Sequence, residues 1–179
     1  MTSAADKAAL AARVYAASHL TGTFTLRSGV VSNEYFDKYM FESDPALLHD
    51  VARACAELVP GGMDALAGLE LGGIPLATMM SQLTKLPTRF VRKEAKAYGT
   101  CRLAEGGELA GMQLCIVEDV ITSGGAVLDA ADELRAAGAV LGPVVCVIDR
   151  ESGGRENLAA RDLEMRALFT MTELNASAG

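Results

Sequence analysis

The sequence predicts an α/β fold with a parallel sheet flanked by helices. Three observations carry that prediction. The runs Ala65–Leu69, Gln113–Val117 and Val144–Ile148 are apolar on both faces, as strands covered on both sides must be. Helical periodicity separates them, from near Pro75 and again from Ala126 to Ala137. Turn residues follow two of these strands: Gly72-Gly73, and Thr122-Ser123-Gly124-Gly125.

In chain order, Ala4 to His19 reads as an amphipathic helix, with Ala, Leu and Val at helical spacing. Phe24–Leu26 and Glu34–Tyr39 read as two short strands with a turn beginning at Ser28-Gly29. Asp44-Pro45 opens a helix, an N-cap followed by proline at its first position, and Pro60-Gly61-Gly62 stops it after Val59. Thr88–Val91 reads as a further strand, Lys93–Leu109 as a long polar loop, and Arg166–Phe169 as an edge strand. Gly138 closes the helix that ends at Ala137. No repeat or interdomain linker appears, so the 179 residues are expected to form one domain.

Composition narrows the function classes. Sixteen Lys and Arg against 23 Asp and Glu leave a net charge of −7. That balance opposes general nucleic-acid binding and anionic membrane surfaces, which both require a basic footprint. No apolar stretch reaches the length of a transmembrane helix. Cys55, Cys101, Cys115 and Cys146 show no CxxC or Cys/His spacing, which opposes a zinc site. Reduced cysteines without a signal peptide point to the cytoplasm. His19 and His49 lie in apparent helices away from any motif, which disfavours histidine catalysis.

The stretch Leu114–Leu128, LCIVEDVITSGGAVL, carries the chemistry. It is a buried strand, two adjacent carboxylates, a hydroxyl- and glycine-rich turn, and a helix. Ligands of parallel sheets bind beyond the carboxyl ends of the strands. There the N–H groups of Thr122, Ser123, Gly124, Gly125 and Ala126 and two hydroxyls can surround a phosphate. Glu118 and Asp119 would repel that phosphate, and instead suit sugar hydroxyls one step along the ligand. The order matches neither a Walker sequence nor GxGxxG.

VEDVITSGGA resembles the ribose-phosphate signature of type I phosphoribosyltransferases. Three further segments resemble the orotate branch of that family: FTLRSGVVSNEYFD at Phe24–Asp37, RKEAKAYG at Arg92–Gly99, and IDRE at Ile148–Glu151. They occur in the family's order, and the resemblance runs from about Leu20 to Leu174. It implies a Rossmann-like sheet with a small N-terminal hood at about 20–42 and a mobile catalytic loop at about 92–109. The implied reaction moves ribose 5-phosphate from phosphoribosyl diphosphate to orotate, with orotidine 5′-monophosphate and diphosphate as products, in de novo pyrimidine synthesis. Magnesium is the implied cofactor, held mostly by substrate phosphates rather than by dedicated protein ligands. A homodimer that shares loop residues across its interface is the implied assembly.

The resemblance also assigns residues. Lys96, Asp119 and Arg92 are the catalytic candidates. The donor substrate would contact Arg27, Arg92, Lys93, Lys96, Tyr98, Glu118, Asp119, Val120 and Ile121, together with the turn Thr122–Ala126. Orotate would contact Tyr35, Phe36, Thr122 and Arg150. Arg89, Arg92, Lys93 and Lys96 fall within eight residues and read either as a cationic subsite for diphosphate or as a solvated face. Tyr35 and Phe36 read either as base-packing aromatics or as hairpin core, and Arg150 either as a carboxylate fork or as an ion pair with Glu151. Three positions depart from the family's habit: Tyr98 stands where histidine is frequent, Arg27 where lysine is frequent, and Gly72 where some members carry lysine. Two other readings compete, a purine phosphoribosyltransferase and a donor-sensing regulator that binds nucleic acid. Arg150 argues against the first, because a purine has no carboxylate to pair with it. The acidic balance argues against the second.

Overall fold

The computed structural model describes residues 3–25, 29, 31–93 and 103–177. Six strands form the central sheet: β3 (Ala65–Leu69), β4 (Thr88–Val91), β5 (Ala104–Glu105), β6 (Gln113–Ile121), β7 (Val140–Asp149) and β8 (Met165–Thr170). Their spatial order is β5-β4-β3-β6-β7-β8. All neighbours are parallel except β4 and β5. A separate antiparallel hairpin, β1 (His19–Thr25) with β2 (Val31–Phe36), precedes the sheet and is largely exposed.

Alternate residues of the inner strands enter opposite cores, as the pleat requires. Leu66, Cys115, Val117, Val145 and Val147 face one layer of helices, α1 (Ala4–Ser18), α2 (Lys38–Ser43), α3 (Pro45–Ala56) and α4 (Gly73–Thr84). Ala65, Ala67, Leu69, Leu114, Ile116, Val144 and Cys146 face α5 (Gly125–Ala136) and α6 (Gly154–Ala159). The short helix α7 (Met171–Ala176) follows β8.

Local signals explain most boundaries. Ser3 and Asp6 form a capping box on α1. The Asp44 carboxylate accepts from Ala46 N and Leu47 N, with Pro45 in the first turn of α3. Gly124 lies in the left-handed region at φ 81 and caps α5, a conformation glycine adopts without strain.

Several elements differ from the sequence expectation, among them β1, which begins at His19 and takes that residue out of the predicted helix, and β7, which begins at Val140 and not at Val144. The strand predicted through Tyr39 stops at Phe36, because Asp37 caps α2 by accepting from Tyr39 N at 3.0 Å. The third sheet strand continues past Val117 to Ile121, so Glu118 and Asp119 are strand residues. The polar stretch before Leu109 contains β5, which pairs with β4 in the sheet's only antiparallel contact among the described residues. The helices α6 and α7 are too short to show a periodicity.

Candidate active site

The carboxyl ends of β3, β6 and β7 meet at one edge of the sheet, and the chemistry-bearing side chains gather there. Asp119 is fully buried near the end of β6. Its Oδ1 accepts from Val120 N–H at 2.5 Å, and its Oδ2 lies 2.5 Å from Lys38 Nζ. Glu118 and Glu42 are the neighbouring acids, and Glu42 Oε1 is buried without a hydrogen-bond partner. One lysine therefore serves three carboxylates.

The electrostatics divide these acids. Burial opposes the charge on Asp119, but its contacts with Glu118 and Lys38 outweigh that and hold its carboxyl below the usual value. Burial pushes Glu118 well above the ordinary range, and Asp119 beside it adds to the shift. Burial and the Asp119 charge push Glu42 up to about 8. Burial works against a charged Lys38, yet Asp119 and Glu118 hold its pKa above the ordinary value. The result is one acid whose charge is favoured beside two whose charge is opposed.

A stability prediction follows from Glu42. Its pKa is raised in the folded protein from an ordinary 4.5 to about 8, so the folded state holds the proton that the unfolded chain releases. The contribution is complete below pH 4.5 and is lost as pH rises through 8. Thermal midpoints should therefore fall from pH 5 to 8 more in the wild type than in Glu42→Gln, whose amide does not titrate. A constant difference between the two proteins across that range would refute the assignment.

Close approach at this edge depends on Gly72. Its φ of −70 suits any residue, so the glycine is there for space and not for torsion. A Cβ at Gly72 would overlap the Asp119 carboxylate and stand 3.0 Å from Glu42 Oε1. A lysine at this position would meet the same obstruction.

The turn after β6 presents Thr122 and Ser123 to solvent, followed by buried Gly124 and exposed Gly125 and Ala126 at the start of α5. Asn157 Nδ2 donates to Ser123 O at 2.9 Å, which ties the turn to α6. The Ile121 side chain belongs to the core, so only its backbone can face a ligand. Val120 is half-buried, packed on the other core.

The cations are separated more than their spacing implied. Arg89 is buried: Nε donates to Glu108 O at 3.1 Å, and Nη2 lies 3.1 Å from Met112 Sδ. It anchors the segment after β5 and does not join the site. Arg92 follows β4, with Nε 3.7 Å from Glu105 Oε1. Lys93 N–H donates to Glu70 Oε2 at 3.2 Å, which places it beside the loop that ends β3. Arg27, Lys96 and Tyr98 lie outside the described residues.

Tyr35 and Phe36 also part company. Successive strand residues face opposite ways. Tyr35 is exposed, with its ring 5.4 Å from that of Phe24, whereas Phe36 packs on the core beside α1 and α3. Arg150 follows β7 and is exposed, and its N–H donates to Ile121 O at 2.9 Å. The Glu151 carboxylate takes Thr172 N–H and Oγ1 at 2.8 and 2.6 Å. It makes no ion pair with Arg150 among the described residues, so that alternative loses its partner.

Lys38 and Glu42 were not anticipated as site residues. The capping aspartate Asp37 was the one sequence signal for the helix that carries them. Cys55, Cys115 and Cys146 are buried free thiols. Among the described residues no group of three or more His, Cys, Asp and Glu side chains could hold a metal ion.

Known proteins agree with this arrangement. Residues 40–163 match the phosphoribosyl transferase domain. The chain is 56% identical over 170 residues to the orotate phosphoribosyltransferase of Nocardioides sp., covering 95% of each chain. It is 44% identical over 153 residues to that of Methanocella arvoryzae, covering 86% of this chain and 87% of the other. The crystal structure of Mycobacterium tuberculosis orotate phosphoribosyltransferase with 5-phospho-α-D-ribosyl 1-diphosphate superposes with a TM-score of 0.82 at 28% identity. That match covers 95% of this chain and 99% of the other. On the family match over residues 40–163 and on these relatives, the chain belongs to the phosphoribosyltransferase family, in its orotate phosphoribosyltransferase branch.

Proposed function

We propose that the chain, as a single phosphoribosyltransferase domain, transfers ribose 5-phosphate from phosphoribosyl diphosphate to N1 of orotate. Orotidine 5′-monophosphate and diphosphate are the products, a step of pyrimidine nucleotide synthesis. The observation that carries this reading is the junction of β6 and α5, where an ionised Asp119 precedes a phosphate-sized turn at the sheet's carboxyl edge.

Asp119 and Glu118 take the ribose hydroxyls, Asp119 as an ionised acceptor. The N–H groups of Thr122, Ser123, Gly124, Gly125 and Ala126 hold the 5′-phosphate, aided by the α5 dipole, and Val120 and Ile121 lead the strand into that turn. As the bond to diphosphate lengthens, positive charge grows on the sugar and negative charge on the leaving group. Arg92, Lys93 and Lys96 are placed on that leaving group, with Arg27 and Tyr98 as further donor contacts. Preorganised cations stabilise the charge that develops and reorganise little. Tyr35 packs on the base from the exposed face of β2, Phe36 holds the hairpin to the core, Thr122 touches the pyrimidine and Arg150 pairs with its carboxylate.

Magnesium supplies positive charge on the diphosphate when bound. Asp119 already spends its buried oxygen on Lys38, which supports a metal carried in by substrate phosphates over one caged by protein. A homodimer with loop cations shared across the interface, a cytoplasmic location and no nucleic-acid partner complete the proposal. The net charge of −7 supports the last point, and among the described residues no helix is long and apolar enough to cross a membrane.

Incubation with magnesium, phosphoribosyl diphosphate and orotate should lower the orotate absorbance, and a chelator should stop the change. Turnover of a purine and not of orotate would overturn the base assignment. Arg150→Ala is expected to raise KM for orotate by about 10- to 100-fold, the usual range for losing a charge-assisted hydrogen bond. KM for phosphoribosyl diphosphate should stay near the wild-type value. Unchanged orotate kinetics in this variant would remove the carboxylate pairing.

A further inference from the structure

The helix α2 links the hood to the rest of the fold, and its start is tied down on both sides. Asp37 N–H donates to Ser18 O at 2.8 Å, and the Asp37 carboxylate caps Tyr39 N at 3.0 Å. Lys38 and Glu42 stand one turn apart on this helix, the spacing that puts two side chains on one face. That face meets the end of β6.

We propose that Lys38 and Glu42 are positioning residues for the reaction, which together clamp the Asp119 carboxylate in the orientation that receives the ribose hydroxyls of phosphoribosyl diphosphate. This rests on the function proposed above. Lys38 Nζ sits 2.5 Å from Asp119 Oδ2, an oxygen sealed from solvent. Glu42 Oε1, sealed likewise and without a partner, crowds the same point beside Gly72. Two carboxylate oxygens brought together in a buried place share a proton or repel. Glu42 keeps its proton there, so it can donate to Asp119, and the lysine balances the remaining charge. Val120 N–H occupies Oδ1. With three groups converging on it, the buried carboxylate is held in one orientation at the strand end.

The position of α2 also explains why such a clamp would act on the donor more than on the base. Lys38 and Glu42 are directed at the ribose carboxylate, whereas Tyr35 and Arg150 lie on other elements.

Calorimetric titration of the full chain with phosphoribosyl diphosphate and magnesium tests the clamp without requiring turnover. Lys38→Met should weaken donor binding by about 10- to 100-fold, as expected for losing a hydrogen bond to a charged group. Lys38→Arg should restore most of it. Glu42→Leu should weaken binding in the same direction, and Glu42→Gln, whose amide can still donate, should recover most of that loss. KM for orotate should move much less than KM for the donor in the variants that turn over. Wild-type donor affinity in both Lys38→Met and Glu42→Leu would overturn the inference. So would losses that the Arg and Gln variants do not repair. If Lys38→Met fails to fold, the Glu42 pair still decides. A wild type that binds the donor but leaves orotate unchanged would sink the base assignment and leave the clamp standing.

Discussion

Replacing Lys96 by alanine is expected to lower kcat by about 100- to 1,000-fold, the loss that follows removal of one preorganised charge donor at a transition state. The lysine falls in RKEAKAYG, a polar segment with few apolar residues to pack. Its removal should therefore leave the thermal midpoint near the wild-type value. Initial rates at saturating substrates, paired with a melting curve, separate the two effects. A variant with wild-type turnover would show that the leaving diphosphate finds its charge elsewhere. Arg92 and Lys93 are then the remaining cations of that run, because Arg89 is committed to Glu108 O and Met112.

Gly72→Ala should impair both folding and donor binding. The backbone at Gly72 accepts alanine without torsional cost, so the whole penalty is steric. The added Cβ would overlap the Asp119 carboxylate, which Lys38 and Val120 N–H hold in place. Asp119 can move aside only by giving up one of those contacts. Overpacking of this kind typically costs about 1–3 kcal/mol. In a chain of this size each kcal/mol lowers the midpoint by about 2–4 °C. Affinity for phosphoribosyl diphosphate should fall by about tenfold or more, because the displaced acid no longer meets the ribose hydroxyls. Scanning calorimetry and donor titration check the two halves. A stable variant with unchanged donor affinity would mean that Asp119 does not hold the ribose.

Local chemistry made much of this molecule legible in one dimension. The strand bounds Ala65–Leu69 and Thr88–Val91 match the structure, the first because it is a short apolar run followed by Gly72-Gly73. The α3 start at Pro45 and the glycine turn before α5 were equally plain, since proline, glycine and capping carboxylates act within one turn of the chain. The family was legible for the same reason: its signature is a contiguous strand, acid pair and glycine turn.

Other features required the tertiary structure. KYMFES shows no helical pattern long enough to read, so α2 and the approach of Lys38 and Glu42 to Asp119 were invisible. Arg89, Arg92 and Lys93 looked like one cationic run, yet the pleat of β4 sends Arg89 beneath the segment after β5. Tyr35 and Phe36 looked like a pair, yet the same alternation places one in solvent and the other on the core. By itself the sequence determined the strand-and-helix alternation, the glycine turn and the family, because each depends on groups that are neighbours along the chain. Which charges meet, and hence which acid is ionised, was decided only when β6 and α2 packed together. Burial and the partner across a contact set a carboxylate's charge, and both are properties of the folded chain.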